Sequence, residues 1–185
     1  MMRARPHVTP VPDTRARRPV PPRRRRFGYH RSAVNVRPAA PKDVPPLLAL
    51  VRRYWEFEGI AGFAALRVEL VLQRLLLEPR LGAVWVADSG GELVGYLIAV
   101  LVMSVEHQGL MAEIDEFFVL PQARSQGVGA QLLAVAEREL ATRGCVRLQL
   151  QLGVGNLAGR EFYRARGYRA RAGYELLDKA LTPVS

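Results

Sequence analysis

An arginine, two glycines one residue apart and an apolar helix start lie together in "RSQGVGAQLL", residues 124–133. Glycine trades conformational order for positive φ and close backbone approach, so this spacing points to a group that comes up against the main chain. A strand ending at Leu120, a loop, and a helix opening at Gly127 would form an anion site. The free N–H groups of the first turn and the positive end of the helix dipole converge there. Arg124 adds a fixed charge whose fork suits phosphate oxygens. A P-loop needs Gly-Lys-Ser/Thr, but Gly129 is followed by Ala130 and Gln131. A dinucleotide fingerprint needs a third small residue where Leu132 stands, and a parallel strand order. What remains is Arg-x-x-Gly-x-Gly, a pyrophosphate cradle without metal.

The elements that must hold this loop can be read from punctuation and periodicity. A strand at 34–37 leads to a helix opened by Asp43, with Pro45 and Pro46 tolerated in its first turn and Leu47, Leu50, Val51 and Tyr54 at helical spacing. A second helix, about 64–77, stops before Pro79. "AVWVAD" and "ELVGYLIAVLVMSV", joined through "SGG", predict an antiparallel hairpin. "EIDEFFVL" (113–120) is a third strand and the helix of the opening stretch runs from about 127 to 142. "VRLQLQL" (146–152) alternates as a half-buried strand does. "NLAGREFYRARG" is a short helix with Asn156 as N-cap and Gly167 as C-cap. "YELLDKAL" (174–181) is expected as a last strand. This order predicts one α+β domain over 34–185, with helices on both faces of a mostly antiparallel sheet.

The totals exclude several classes. The 185 residues suit one domain with a full core. The formal charge of +10 is not spread over the fold: residues 1–37 hold eleven arginines and one acid, and the rest is balanced. Residues 1–33, rich in arginine and proline, are expected to be an unstructured extension, because they offer little apolar surface to offset ordering entropy. Such a segment reads as an inert extension or as a basic arm for nucleic acid or lipid. Nucleic-acid binding by the folded domain is not expected. One cysteine, Cys145, excludes an intrachain disulfide and fits a reducing compartment. The three histidines are scattered, so no metal site is expected. The longest apolar run, 93–105, is too short to span a bilayer. Arg17 and Arg18 precede prolines instead of an apolar segment, so no secretory signal is expected and the location is taken as cytoplasmic.

On these residues the chain resembles the GNAT superfamily of acyl-CoA N-acyltransferases. "FFVLPQARSQGVGAQLL" is similar to that family's signature segment. "GNLAGREFYRARGYR" is similar to its second motif, Asn-x-x-Ala-x-x-Phe-Tyr-x-x-x-Gly-Tyr, and "VRPAAPKDVPPLLAL" to its opening. The resemblance covers about residues 34–181. It implies that Gln122, Arg124, Ser125, Gln126, Gly127, Val128, Gly129 and Ala130 hold the pyrophosphate of acetyl-CoA, used as co-substrate. The backbone of Phe117, Phe118 and Val119 would pair with the pantetheine arm like an added strand. The sheet would splay between 113–120 and 146–152, and Asn156 would face the lower part of the arm.

Acetyl transfer to an amine must deprotonate the amine, stabilise charge on the thioester carbonyl and protonate the departing thiolate. Tyr163 matches the family's general acid; its other role is to pack under the cofactor through its ring. The base candidates are Glu113, Asp115 and Glu116, with Glu113 favoured and Asp115 second. Alternation puts Glu113 and Asp115 on one strand face and Glu116 on the other, unless a bulge intervenes. Tyr54, Trp55, Glu56 and Glu58 lie where the family's first helices form the substrate wall, the acids for a cationic acceptor and the rings for stacking. The leading expectation is direct transfer from acetyl-CoA to a primary amine in a ternary complex. The amine is left open among a polyamine, a protein amine, an aminoglycoside and a small metabolite, and a homodimer is left open too. The competing readings are a catalytically weak acyl-CoA-binding sensor, and accessory nucleic-acid binding through the basic segment.

Overall fold

Two glycines close the hairpin on which the sheet is built. Gly90 and Gly91, with φ of 64° and 94°, form a two-residue turn in which both central residues need positive φ. They join β2 (Gly82–Ser89) to β3 (Glu92–Ser104). The computed structural model describes residues 33–171 and 173–181. The expectation for 1–33 therefore falls, Ala33 apart, outside the described residues.

In chain order come β1 (Asn35–Pro38), α1 (Val44–Glu58), α2 (Ala65–Leu77), β2, β3, β4 (Gly109–Val119), α3 (Val128–Thr142), β5 (Cys145–Leu150) and α4 (Leu157–Arg164). The strands lie in the order β1-β2-β3-β4-β5. All neighbours are antiparallel except β4 and β5. The architecture is thus α+β with a mixed sheet. Gly82 on β2 has Leu75 of α2 against it, whereas the indole N–H of Trp85 donates to Glu139 on α3 at 2.7 Å. An even and an odd residue of one strand thus meet helices on opposite faces. Both faces being covered, Val84, Trp85, Val86 and Ala87 are all buried and the strand reads as a continuous apolar run.

Asp43 precedes α1 as expected, yet its carboxylate does not cap the helix. It accepts from Ala40 N–H at 2.8 Å and takes both arms of the Arg37 guanidinium at 2.6 and 2.9 Å. Arg37 also reaches Asp88 at 3.2 Å. This pins β1 to the start of α1 and to β2. The hydrogen bonds from Arg37, ahead of opposing burial, hold the Asp43 carboxyl below the usual carboxylate range.

Two irregularities shape the functional end of the sheet. Ile98 pairs with Glu116 and Ala99 with Ile114, which leaves Asp115 as the extra residue of a β-bulge. Cross-strand partners share a face, so the pairs Val100–Glu113 and Ile98–Glu116 put Glu113 and Glu116 on the same face. Unbroken alternation would have separated them. Pairing of β4 with β5 ends at Ile114–Leu150, and the two strands part beyond it. One expected element is absent: residues 174–181 form no strand. Tyr174, Leu176, Leu177 and Leu181 are exposed, and their spacing lacks the period of two that would give the segment one apolar face.

Candidate active site

A cleft of about 720 Å³ opens where β4 and β5 diverge, walled by α1, the loop before α3, the start of α3 and α4. The loop is built on two left-handed residues, Ser125 (φ 59°) and Gly127 (φ 82°). Gly127 ends it as the N-cap of α3, and no side chain caps the helix. The first-turn residues Val128, Gly129 and Ala130 lie on the cleft wall with N–H groups that have no acceptor within the helix. A Cβ at Gly129 would meet only the rings of Phe117 and Phe162, at 3.5 and 3.6 Å. Protein packing therefore does not demand glycine there. Its bare backbone is free for a ligand, which fits the cradle.

Arg124 lines the cleft in an unexpected pose. Its guanidinium lies over the rings of Phe57 (4.8 Å) and Phe118 (5.6 Å), and its Nε–H donates to the Val119 carbonyl at 2.8 Å. It therefore sits on the strand backbone that the sequence reserves for an extended arm. Ser125, Phe117, Phe118 and Val119 line the cleft, as does Asn156. The Asn156 side chain accepts from Gly159 N–H at 2.8 Å, so it caps α4 as expected. Gln122 and Gln126 are not on the lining; the Gln126 amide donates to the Gln122 carbonyl at 2.9 Å and so braces the loop.

The three acids part company. Asp115, turned out by the bulge, lines the cleft. Although its side chain meets solvent at the lip, burial first and the Glu113 charge second raise its carboxyl above the ordinary range. Both oxygens of Glu113 are taken, by the amides of Gln149 (2.8 Å) and Gln151 (2.9 Å), and it does not line the cleft. Both oxygens of Glu116 are taken too, by the Trp55 indole N–H and the Tyr96 hydroxyl, each at 2.7 Å.

From α1, Tyr54 and Glu58 line the cleft. Trp55 instead turns to Glu116 and packs edge-on against Phe63 at 5.4 Å. Glu56 lies elsewhere, in a shallow depression with Arg52 and Arg53. Burial, then the charges of Glu58, Glu116 and Asp115, push the Tyr54 phenol up to about 12. The three carboxylates thus act on one place. Tyr163 is buried, its ring set edge-on to Phe162 and Tyr168, each at 5.2 Å. Among the described residues its hydroxyl has no hydrogen-bond partner, and because no side-chain oxygen shut off from solvent lacks one, the hydroxyl opens onto the cleft that the residue lines. Burial, then Tyr54, raises it above the ordinary phenol range.

Among the lining residues that the sequence reading did not single out, Phe57 and Arg166 bear on binding. Phe57 is one helical step from Tyr54, a spacing that could have shown it. Arg166 stacks on Phe162 at 3.8 Å and adds a second cation to the cleft; the run "RARGYR" was its only signal. Among the described residues, no group of three or more His, Cys, Asp or Glu could hold a metal ion, and no helix is long and apolar enough to cross a membrane.

Comparison with known proteins agrees with this geometry. A model of the Acetyltransferase (GNAT) family matches residues 45–168. The protein YhfO of Bacillus subtilis (strain 168), named an uncharacterized N-acetyltransferase, is 26% identical over 141 residues, which is 76% of this chain and 93% of its own. An aminoalkylphosphonate N-acetyltransferase of Salmonella typhimurium is 34% identical over 79 residues, 43% of this chain and 51% of its own. The crystal structure of the integron cassette protein HFX_CASS3, from the mobile metagenome of Cole Harbour Salt Marsh, shares 32% identity at a TM-score of 0.69, over 80% of this chain and 91% of that one. With the family's model spanning both the glycine loop and α4, the chain belongs to the GNAT acetyltransferase family and is an N-acetyltransferase.

Proposed function

We propose that the chain moves an acetyl group from acetyl-CoA to the primary amine of a cationic acceptor, by direct attack with both molecules bound. The observation that carries this reading is the juxtaposition in one cleft of an uncapped helix start, an outturned carboxylate and a phenol whose hydroxyl opens onto the cleft without a partner among the described residues. The N–H groups of Val128, Gly129 and Ala130, with Arg124 and Arg166, would hold the pyrophosphate. Acetyl-CoA supplies the activated acyl group when bound. Engaging the Val119 carbonyl requires Arg124 to leave its place on β4, which frees its fork for phosphate oxygens.

Asp115 takes the proton from the amine. Of the three acids it alone faces the cleft, and its raised affinity for a proton makes it a stronger base than an ordinary carboxylate. This shifts the role from Glu113, whose oxygens are already engaged. Tyr163 holds a proton where the sulfur departs. Glu58 and Asp115 facing the cleft, with Glu116 behind, favour an acceptor of positive charge, and the Tyr54 and Phe57 rings offer it faces on which to stack. The Salmonella relative is named for an amine as well, one that also bears a phosphonate.

The test is incubation with acetyl-CoA and a panel of primary amines, reading free thiol. Amine-dependent thiol release, fastest with cationic amines, is expected. Tight acetyl-CoA binding without release for any amine would leave an acyl-CoA-binding module, and absence of binding would remove the cradle assignment.

A further inference from the structure

We infer that Glu116 is a positioning residue: it ties the last turn of α1, which carries the acceptor wall, to the bulged part of β4, and so sets acceptor affinity without exchanging a proton with the acceptor. This rests on the acceptor reading above, since the wall it positions is the one proposed to receive the amine.

The geometry assigns the role. Glu116 follows the bulge residue Asp115 directly and pairs with Ile98 on β3. Its Oε1 accepts from the Trp55 indole on α1, and its Oε2 from the Tyr96 hydroxyl on β3. One carboxylate thereby joins three elements. Trp55 stands between Tyr54 and the pair Phe57–Glu58, the α1 residues that line the cleft. The same residue closes the helix, because its carbonyl accepts from Gly59 and Ile60. Its ring also meets Phe63 in the loop to α2. Besides this tether, the turn meets β4 through Phe118, whose ring lies 5.9 Å from Tyr54 and 6.1 Å from Phe57, and through Arg124, which lies over Phe57 and donates to the Val119 carbonyl. Glu116 itself is not on the cleft lining, so it acts through Trp55.

Hydrogen-bond chemistry gives a sharp test. An indole N–H only donates, whereas a tyrosine hydroxyl donates or accepts. A glutamine at 116 can thus accept from Trp55 and donate to Tyr96, which rebuilds the tether without a charge or a titrating proton. A leucine can do neither. With an amine that the wild-type chain acetylates, Glu116→Leu and Trp55→Phe should each raise the acceptor KM about tenfold or more, the loss of a charge-assisted hydrogen bond. Combining them should add little, and acetyl-CoA affinity should hold. Glu116→Gln should recover most of the acceptor affinity and keep the acidic limb of the rate profile.

Hydrogen exchange reads the tether without turnover. Residues 55–63 should exchange faster in Glu116→Leu and Trp55→Phe but not in Glu116→Gln. This arm stands if no amine is turned over, an outcome that would sink the acetyl-transfer reading and not the tether. If Glu116→Leu unfolds the chain, Trp55→Phe carries both readouts alone. A kcat lowered about 100-fold or more in Glu116→Gln, with the acidic limb lost, would show proton transfer and overturn the inference. Unchanged KM and unchanged exchange in Trp55→Phe would overturn it too.

Discussion

Replacing Tyr163 by phenylalanine separates chemistry from packing more cleanly than any other change in the cleft. The hydroxyl has no hydrogen-bond partner among the described residues, so its removal breaks none of their bonds and leaves the ring among Phe117, Phe162 and Tyr168. Folding stability should therefore change by no more than about 0.5 kcal/mol. A general acid contributes about 10²–10⁴-fold, or roughly 2.7–5.5 kcal/mol of barrier. Turnover should fall by that factor while the dissociation constant of acetyl-CoA holds. The raised phenol does not argue against the role. A thiolate released beside Tyr163 would be penalised by partial burial as the phenolate is, so the two proton affinities would rise together. The sign of the pH effect follows. A proton donor is lost as pH rises through its pKa, so the alkaline limb of wild-type kcat should lie above the ordinary phenol range and vanish in Tyr163→Phe. Stopped-flow detection of thiol release across pH, with calorimetry of acetyl-CoA binding, measures both quantities. Near-normal turnover would refute the reasoning and leave Tyr163 a packing residue. Lost acetyl-CoA affinity with little change in the chemical step would instead make the hydroxyl a hold on the sulfur.

Asp115→Asn should lower kcat/KM about 10²–10⁴-fold and abolish the acidic limb. That limb should lie above the ordinary carboxylate range in the wild type, since a raised pKa delays loss of the proton that a base must shed; a pH–rate profile of both proteins decides it. Asp43→Asn tests the clamp on Arg37. A carboxyl held low in the fold stabilises above its unfolded pKa, near 3.9, and that contribution is lost as pH falls through the folded value. The substitution should cost about 3 kcal/mol at neutral pH, or roughly 6–12 °C in Tm, and flatten the acid side of the stability curve, as calorimetric scans from pH 2 to 7 would show.

Local punctuation made most of the elements legible. Gly90–Gly91, Pro45–Pro46, Asn156 and Gly127 each mark a boundary through a backbone preference, and each stands within a residue or two of the boundary it predicts. Where partners come from far along the chain, no such mark exists. Asp43 looks like a cap from its neighbours, but an arginine on β1 takes its carboxylate. The segment 174–181 is apolar enough for a strand, yet a strand needs a paired edge as well as its own residues.

The roles of the acids turn on the same distinction. Glu113, Asp115 and Glu116 are equivalent in type and nearly so in position, and alternation sorts them wrongly because nothing in "EIDEFF" announces a bulge. The bulge is set by the register of β3 against β4, ten or more residues away across a hairpin. Once it is in place, each carboxylate meets a different environment: a pair of glutamines, the open cleft, or an indole and a phenol. The donors on Glu113 and Glu116 occupy one acceptor site on each oxygen and keep both carboxylates off the cleft lining, whereas Asp115 faces the cleft, which is why it is the proposed base. Chemistry here is therefore assigned by what surrounds a carboxylate, and strand register, a long-range property, decides that.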